Sequence, residues 1–319
     1  MAVSSKRPER TVRAGEVREG PASTVKTSEA PRLHPLRRLR ELWRYREILG
    51  NLTRKEVRLK YTSSVLGAAW SMLNPILYLA VFSFAFTVVL PSGVPDFPIY
   101  LLSGLLAWNL FSSSLSLAAR SVVENGNLVK KVYFPREILP LASIGATLVD
   151  FALQAVVLIV FMAIFTYPFF GMNLLLLPLS MITLLIFAAA LALWVAALNV
   201  RYRDTQHLLG LALLAWFWLT PIVYPFGFLQ ERITTLIGHW AFVGYLVLNP
   251  MATIIAGFQR SIYRFVDPVP HPTEPTVLIN TTLGTLATRL GLVILGSLVL
   301  AVLFWRHYFR QAGDFAEEL

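Results

Sequence analysis

The sequence predicts an all-α membrane protein with six transmembrane helices, an N-terminal amphipathic interfacial helix and two short re-entrant outer helices before the last span. Three observations predict this fold class. Of the 319 residues, 56% are hydrophobic and only 14% are charged, whereas soluble proteins carry about 25% charged residues. The apolar residues are gathered into runs close to the roughly 20 residues that a spanning helix needs. Cations concentrate at the N-terminus and in alternate loops, as in membrane proteins of fixed orientation.

Residues 1–34 lack apolar periodicity, and we expect them to form a disordered cytoplasmic tail. Residues 1–65 hold 16 of the 28 lysines and arginines but seven of the 18 acids, so most of the net charge of +10 lies there. This basic segment suits a surface of anionic lipid, or it serves only to fix orientation. We expect no secretory signal peptide, because the first strongly apolar run begins near Val65. The chain has no cysteine, which excludes disulfides and thiol catalysis.

Residues 35–62 are predicted to form the interfacial helix. Apolar residues recur there at spacings of three and four, with arginines between them. These residues are Leu36, Leu39, Leu42, Tyr45, Leu49 and Leu52. Gly50 and Asn51 interrupt the pattern, and Thr53 with Glu56 has the capping-box spacing that starts a second helix. The alternative is a helix that packs on other parts of the protein.

Six apolar segments predict the spans of a transmembrane domain at residues 63–319. They lie near 66–90, 99–120, 138–165, 174–199, 207–225 and 284–305. Cations occur in the loops after the second and fourth spans and at the C-terminal end, whereas PSGVPDFP and TYPFFGMN on the other side have none. The positive-inside rule therefore predicts that both termini are cytoplasmic.

The outer loop at 226–283 contains an apolar run of spanning length, HWAFVGYLVLNPMATIIAGFQ, which Asn249 and Pro250 break. Proline removes a backbone donor and disfavours helix in the residue before it. We therefore expect two short helices that enter the outer leaflet and return, and the alternative is two extra spans. A similar break at Asn74 and Pro75 predicts a kink in the first span.

Features of several enzyme classes are absent from the sequence. No glycine precedes a lysine, so there is no P-loop, and ATP hydrolysis would require a separate chain. The aspartates are widely separated, the histidines form no ligand-spaced pair and no G-x-S-x-G occurs, so we predict neither catalysis nor a metal site. Asp150 lies inside the third span with Gln154 one turn on. It is a functional candidate or an acid that packs one helix against another.

Three segments together resemble the permease subunit of ABC-2-type polysaccharide exporters. They are RKEVRLKYTSSVLGAAWSMLNPILYLAVFSFAF (54–86), NLVKKVYFPREILPLAS (127–143) and LNVRYRD (198–204). The resemblance implies export of a lipid-linked glycan such as O-antigen, teichoic acid, capsule or galactan across a bacterial plasma membrane. It also implies a homodimer with two copies of a separate P-loop ATPase. ATP and Mg²⁺ would bind to that partner, with no cofactor on this chain and no nucleic acid.

The resemblance further implies that ENGNLVKKVYFPRE (124–137), after the second span, couples the membrane domain to the ATPase. An apolar group would fill a cleft on the partner, flanking cations would orient it, and Pro135 would end the element. The apolar group is Val132, Tyr133 and Phe134, and the cations are Lys130, Lys131 and Arg136. The alternative is a topogenic loop whose aromatic residues rest on lipid headgroups.

Five residues before the first span would receive a diphosphate headgroup, since cations suit phosphate. They are Arg54, Lys55, Arg58, Lys60 and Tyr61. Binding of ordinary anionic lipid is the alternative for this set.

A glycan path needs aromatic faces and small polar groups. Its candidates are Tyr78, Phe82, Phe86, Trp108, Phe111, Ser112, Ser116, Trp216, Trp218 and Tyr224. Lipid contact is the alternative for each aromatic residue. A stand-alone carrier or channel, or a polytopic lipid-sugar transferase, is the alternative function.

Overall fold

The computed structural model describes residues 35–62, 69–89, 93–167, 171–263, 277–313 and 315–318, and within these ranges the regular structure is helical. The predicted tail at 1–34 lies outside the described residues, as do residues 66–68 and 90 of the expected first span. The helices are α1 Pro35–Arg44, α2 Arg46–Tyr61, α3 Ala69–Ser83, α4 Phe97–Glu124, α5 Gly126–Lys131, α6 Ile138–Ile164, α7 Leu176–Arg201, α8 Thr205–Leu219, α9 Phe226–Leu236, α10 His239–Leu248, α11 Pro250–Ile262, α12 Leu283–Gln311 and α13 Phe315–Glu318. A π-helix, Phe84–Val89, extends α3, and a 3-10 turn, Met172–Leu175, precedes α7.

Four helices in the described ranges are long and apolar enough to cross a membrane: α4, α6, α7 with its 3-10 turn, and α12. The α10–α11 pair bends by 94°, and if this pair is counted as one broken span, the number of candidate spans in the described ranges rises to five. The predicted first and fifth spans correspond instead to short apolar helices, at Pro75–Val89 and Thr205–Leu219. The latter has 15 residues and rises about 22 Å, less than a hydrocarbon core of about 30 Å.

The fifth apolar segment ends six residues earlier than predicted, because Pro221 follows Thr220. A proline disfavours the α conformation in the residue before it, and Thr220 is extended with φ −109° and ψ 132°. By contrast, α3 continues through Pro75 to Ser83. The side chain of Asn74 lies outside the described residues, and the kink at Pro75 stays a prediction.

Helix α4 forms the centre of the molecule and contacts α6, α7, α8 and α11. Its apolar window is 72% buried, whereas that of α12 is 17% buried, so α12 lies at the periphery along α7. Small residues let helices approach closely in membranes. At Gly104 of α4, an added Cβ would lie 3.0 Å from the Gln259 amide nitrogen of α11.

The N-terminal helical region breaks at Tyr45, between α1 and α2, and the prediction of a break at Gly50 and Asn51 is wrong. The capping-box interpretation of Thr53 is wrong as well, because Thr53 lies inside α2. Close packing on α6 explains the continuity: a Cβ on Gly145 of α6 would lie 2.7 Å from the Thr53 hydroxyl oxygen. Such tertiary contact outweighs the roughly 1 kcal/mol helix penalty of a glycine.

The outer segment contains three helices, α9, α10 and α11, where the sequence predicted two. The predicted break at Asn249 and Pro250 is confirmed. Asn249 caps α11 by accepting a hydrogen bond from the backbone N–H of Ala252, and Pro250 occupies the first helical turn, where its missing N–H costs little. The broken run therefore starts a new helix in a new direction.

Candidate functional site

Helix α2 presents two exposed arginines, Arg54 and Arg58, one turn apart. Together with Val57, Tyr61 and neighbouring residues they line a groove of about 470 Å³. An arginine guanidinium offers several N–H donors in a planar arrangement that suits phosphate. The predicted headgroup residues therefore form an accessible cationic groove at this part of the surface.

The other predicted headgroup residues have partners within the chain. Lys60 Nζ lies 2.7 Å from a carboxylate oxygen of Asp150, and the Tyr61 hydroxyl donates to the other oxygen of that carboxylate. Lys55 Nζ donates to the side-chain oxygen of Asn125. Because the Lys60 side chain is 51% exposed and an ammonium has three donors, Lys60 can still meet an external anion.

Asp150 is 8% exposed and pairs α6 with α2 rather than with the residue one turn away on its own helix. Gln154 instead accepts a hydrogen bond of 2.9 Å from the Asn109 amide of α4. Charged groups at membrane depth require such partners. The geometry therefore favours the interpretation of Asp150 as an acid that holds two helices together.

A polar cavity of about 460 Å³ lies between α2, α4 and α6. It brings Lys60, Tyr61 and Asp150 together with Ser116, a predicted path residue. Its wall also includes the ion pair of Arg120 with Glu124 and the side chain of Ser113, which sequence reasoning missed. Val57 and Tyr61 line both this cavity and the arginine groove. The two cavities therefore adjoin, and together they offer cations, an acid and hydroxyl groups.

The predicted coupling segment begins with the short helix α5, whose final residues Lys130 and Lys131 are exposed. The chain then becomes extended at Val132, which is 48% exposed, and Tyr133 is 87% exposed. Tyr133 is therefore the aromatic residue of this segment that another protein can contact.

Phe134 does not belong to that exposed group. Its side chain is 5% exposed and belongs to a buried hydrophobic cluster of this chain that also includes Leu52 of α2 and Trp305 of α12. The expectation that Phe134 enters a partner's cleft is corrected: Phe134 anchors the segment. Helix α5 ends at Lys131, so the prediction that Pro135 ends it is also wrong. Pro135 is buried and starts the turn into α6 by accepting from the Ile138 N–H.

Glu137, the last residue of the quoted motif, holds the coupling segment in place. Its carboxylate is 1% exposed and accepts hydrogen bonds from Arg38 Nε at 3.1 Å and from the Trp305 indole at 3.1 Å. Burial acts to lower the pKa of Arg38, but hydrogen bonds and charges from Glu137 and Glu41 outweigh it and raise the pKa. Next to Glu137, the Arg136 carbonyl accepts from the Tyr308 hydroxyl at 2.9 Å.

Sequence reasoning did not single out Glu137. The available signal was an acid at the start of an apolar run of spanning length, where a charge requires a partner. Through it the segment is fixed to α1 by Arg38 and to α12 by Trp305. These contacts anchor the C-terminal end of the segment to both helices.

The predicted path residues of α3 form an aromatic row. The Tyr78 and Phe82 rings stack with centroids 6.0 Å apart, and Phe86 follows at 6.3 Å from Phe82. Trp218 of α8 meets Phe82 edge-on at 6.5 Å. Tyr78 and Trp218 are 42% and 52% exposed. The row is thus partly open to a ligand or to a neighbouring molecule.

Trp108 and Phe111 of α4 are 6% and 0% exposed, and the expectation that they line a path is corrected. The Phe111 ring stacks on Phe187 at 5.6 Å and meets Trp216 edge-on at 5.3 Å. These rings fill the space between α4, α7 and α8, because α4 is the central helix. They stabilise the fold and are unavailable to a passing sugar.

The remaining predicted path residues make local contacts. The Ser112 hydroxyl is 3.5 Å from the Asn109 carbonyl, and Ser116 donates to the Ser112 carbonyl at 2.8 Å. The Tyr224 hydroxyl donates to the Trp218 carbonyl at 2.9 Å, which fixes the chain after α8.

Asn249, predicted as a helix break, also connects α8 with α10 and α11. Its side-chain oxygen accepts from the Trp216 indole at 2.8 Å, and its amide donates to the Thr220 hydroxyl at 3.0 Å. Asn249 is 6% exposed. A buried polar group with several partners fixes the positions of the elements that supply them. The outer segment is therefore tied to the end of α8.

Comparison with known proteins gives one family and several relatives. The family model described as ABC-2 type transporter matches residues 49–263, more than half of the chain. The O-antigen export system permease protein RfbA of Myxococcus xanthus is 32% identical over 249 residues, 78% of this chain and 92% of that protein.

Two further relatives extend the comparison. A permease with the same description from Klebsiella pneumoniae is 27% identical over 257 residues, 79% of this chain and 92% of that protein. The polysialic acid transport protein KpsM of Escherichia coli is 24% identical over 207 residues, 63% of this chain and 75% of that protein. The family match includes α2 from residue 49 onward with Arg54 and Arg58, the coupling segment, the polar cavity and the broken α10–α11 pair. This chain belongs to the ABC-2 type transporter family and is a multi-pass membrane permease subunit.

Proposed function

We propose that this chain is the transmembrane subunit of an ATP-driven exporter that moves a lipid-linked polysaccharide from the cytoplasmic to the outer side of a bacterial inner membrane. The similarity to O-antigen export permeases over nearly the whole length of the relative is the observation that carries this proposal. The cationic groove of Arg54 and Arg58 beside a polar cavity supports it, because a lipid-linked glycan combines phosphate with hydroxyl groups.

The proposed assembly is a homodimer of this chain with two copies of a separate P-loop ATPase that binds ATP and Mg²⁺. In it, α3 and α8 serve as the first and fifth of six spans, and both termini are cytoplasmic. Helices α1 and α2 lie in the interface: Leu39 and Trp43 are 52% and 72% exposed, as expected for side chains that enter lipid. Helices α9 to α11 form the re-entrant outer segment.

The proposed coupling contact is Tyr133, with Val132 beside it and Lys130 and Lys131 as orienting charges. Exposure supports this assignment, since Tyr133 is 87% exposed and Val132 beside it is 48% exposed. Aromatic residues of this kind dominate the energy of protein interfaces. Glu137 and Phe134 then transmit the movement of the ATPase to α1, α2 and α12.

The proposed transport step begins at α2. Phosphates of the lipid carrier bind Arg54 and Arg58, and the first sugars occupy the cavity near Lys60 and Asp150. The aromatic row of Tyr78, Phe82, Phe86 and Trp218 then offers stacking surfaces to the sugar rings. Its ring spacing of 6.0 to 6.5 Å supports successive contacts along α3 and α8.

The Tyr133→Ala variant tests the coupling assignment, with Tyr202→Ala as the matched control. Tyr202 is 56% exposed and lies after α7 in LNVRYRD, on the same predicted side of the membrane. We expect Tyr133→Ala to reduce co-purification of the ATPase by roughly tenfold or more, because hot-spot truncations cost at least about 2 kcal/mol. The yield and fold of the permease should be unchanged.

Tyr202→Ala should retain the ATPase and export. Normal ATPase retention and normal export in Tyr133→Ala would refute the coupling role. Export that continues in cells lacking every associated ATPase would instead favour a stand-alone carrier.

A further inference from the structure

Helix α12 carries three arginines, and Arg289 is the one nearest its N-terminal end. Its Nη1 atom is buried and has no hydrogen-bond partner among the described residues. Helices α7, α10, α11 and α12 contain no aspartate or glutamate. Arg289 as a whole is half-buried, a guanidinium cannot lose its proton in a protein, and a buried N–H without an acceptor is costly. Among the described residues Arg289 therefore has no acid partner, and a bound anion would supply one.

Arg289 lies at a groove of about 680 Å³ between α10, α11 and α12. Thr253 and Ser297 are the other residues on its wall with polar side chains, and the rest of the wall is apolar. The volume is within the roughly 300–1,000 Å³ of typical small-ligand sites. The site thus combines a single cation with a long hydrophobic surface.

The groove has an exposed apolar wall. Leu292 and Val299, which line it, are 63% and 61% exposed, and α12 is apolar and long enough to span a membrane. Arg289 is six residues from the start of α12, about 9 Å along its axis. A headgroup near the end of the span and an acyl chain along the helix match this arrangement.

We propose that this groove is a binding site for one anionic phospholipid of the bilayer. The phosphate accepts hydrogen bonds from the Arg289 guanidinium, and an acyl chain lies along Leu292, Gly296 and Leu300. Charge complementarity selects an anionic lipid over a zwitterionic one, because the groove supplies a cation and no acid. The site stabilises the packing of α12 against α10 and α11 and is separate from the Arg54 and Arg58 groove.

Two glycines of α12 provide a test that leaves Arg289 intact. An added Cβ at Gly296, which lines the groove, meets nothing within 4 Å. Gly296→Leu therefore places a side chain where the acyl chain lies. Gly291 also has open space around its Cβ but does not line the groove. Gly291→Leu is the matched control for helix propensity and added bulk.

The experiment is native mass spectrometry of the purified full-length permease with its ATPase, titrated with phosphatidylglycerol or with phosphatidylcholine of the same acyl chains. We expect the wild type, Arg289→Lys and Gly291→Leu to retain one phosphatidylglycerol per chain in preference to phosphatidylcholine. Arg289→Gln should lower the affinity for phosphatidylglycerol by roughly tenfold, as expected from loss of a charge-assisted hydrogen bond. Gly296→Leu should lower the affinity for both lipids.

Unchanged phosphatidylglycerol binding in Arg289→Gln, or equal binding in Gly296→Leu and Gly291→Leu, would overturn the proposal. If Arg289→Gln does not fold, the comparison of lipid binding by Gly296→Leu and Gly291→Leu tests the proposal on its own. Retention of the transported glycolipid in place of phospholipid would also overturn it. A change of oligomeric state without loss of lipid would point to an acid of a second copy and would contradict the proposed site.

Discussion

Replacing Glu137 with alanine should loosen the coupling segment from the membrane domain. The substitution removes the acceptor of the Arg38 guanidinium and of the Trp305 indole at once. These two partners belong to α1 and α12, so the loss affects contacts at both ends of the chain. Glu137→Gln keeps one acceptor oxygen for these two donors, removes the charge and replaces the other oxygen by an NH2 group.

The size of the stability loss in Glu137→Ala depends on which other contacts Trp305 and Arg38 still make. Trp305 is 8% exposed, so its N–H would be buried without an acceptor, at a cost of about 1–3 kcal/mol. Arg38 keeps its pair with Glu41 at 2.5 Å, and its side chain is 20% exposed. Losing the ion pair between Arg38 and Glu137 should therefore cost nearer the roughly 1 kcal/mol of a solvated pair than the roughly 3–5 kcal/mol of a fully buried one. We expect Glu137→Ala to cost about 2–4 kcal/mol in total and Glu137→Gln about 1 kcal/mol.

The assay is denaturant unfolding of the purified permease in mixed micelles, followed by tryptophan fluorescence. Glu47→Ala is the control, because Glu47 is exposed on α2 and should change stability by less than about 0.5 kcal/mol. In the Glu137→Ala background, Trp305→Phe should recover stability, since it removes the stranded N–H. Equal stability of Glu137→Ala and Glu47→Ala, or no recovery with Trp305→Phe, would refute the reasoning.

Two further predictions concern α2. Arg54→Gln with Arg58→Gln should lower export of the lipid-linked substrate by roughly tenfold and leave basal ATPase activity unchanged, whereas Arg40→Gln with Arg44→Gln, an exposed pair on α1, should leave both at wild-type levels. Equal loss of export and ATPase in the α2 variant would indicate a structural role. Asp150→Asn should cost about 1 kcal/mol of stability, because its partner Lys60 is half exposed, and it should not shift the pH profile of export. A double-mutant cycle with Lys60→Gln should show that the two side chains contribute to stability jointly. A large shift of the pH profile at normal stability would contradict this prediction.

The helical class and most of the apolar segments could be predicted from the sequence, because length and composition determine them. Apolar runs near 99–120, 138–165, 174–199 and 284–305 correspond to α4, α6, α7 and α12. The local rule for proline predicted the break at Asn249 and Pro250. The same rule explains why α8 ends at Leu219. The sequence analysis placed the end of this span at residue 225 because the apolar residues continue beyond Pro221.

Tertiary contacts account for the features that the sequence did not predict. Gly50 and Asn51 stay helical because α2 packs on α6, a contact that no local pattern encodes. Whether an aromatic residue faces outward depends on the neighbouring helices, so Tyr133 and Phe134, adjacent in sequence, have opposite exposures. Lys60 and Asp150 meet although 90 residues separate them.

The most direct test of the account is transport in vesicles that contain the purified permease and its ATPase, loaded with a radiolabelled lipid-linked glycan on the ATPase side. The account predicts that the glycan becomes accessible on the opposite side only when ATP, Mg²⁺ and the ATPase are present together. It also predicts that Tyr133→Ala reduces this transfer roughly tenfold or more, as it does the association with the ATPase, while Tyr202→Ala leaves it unchanged. Transfer at the wild-type rate without the ATPase would contradict the account.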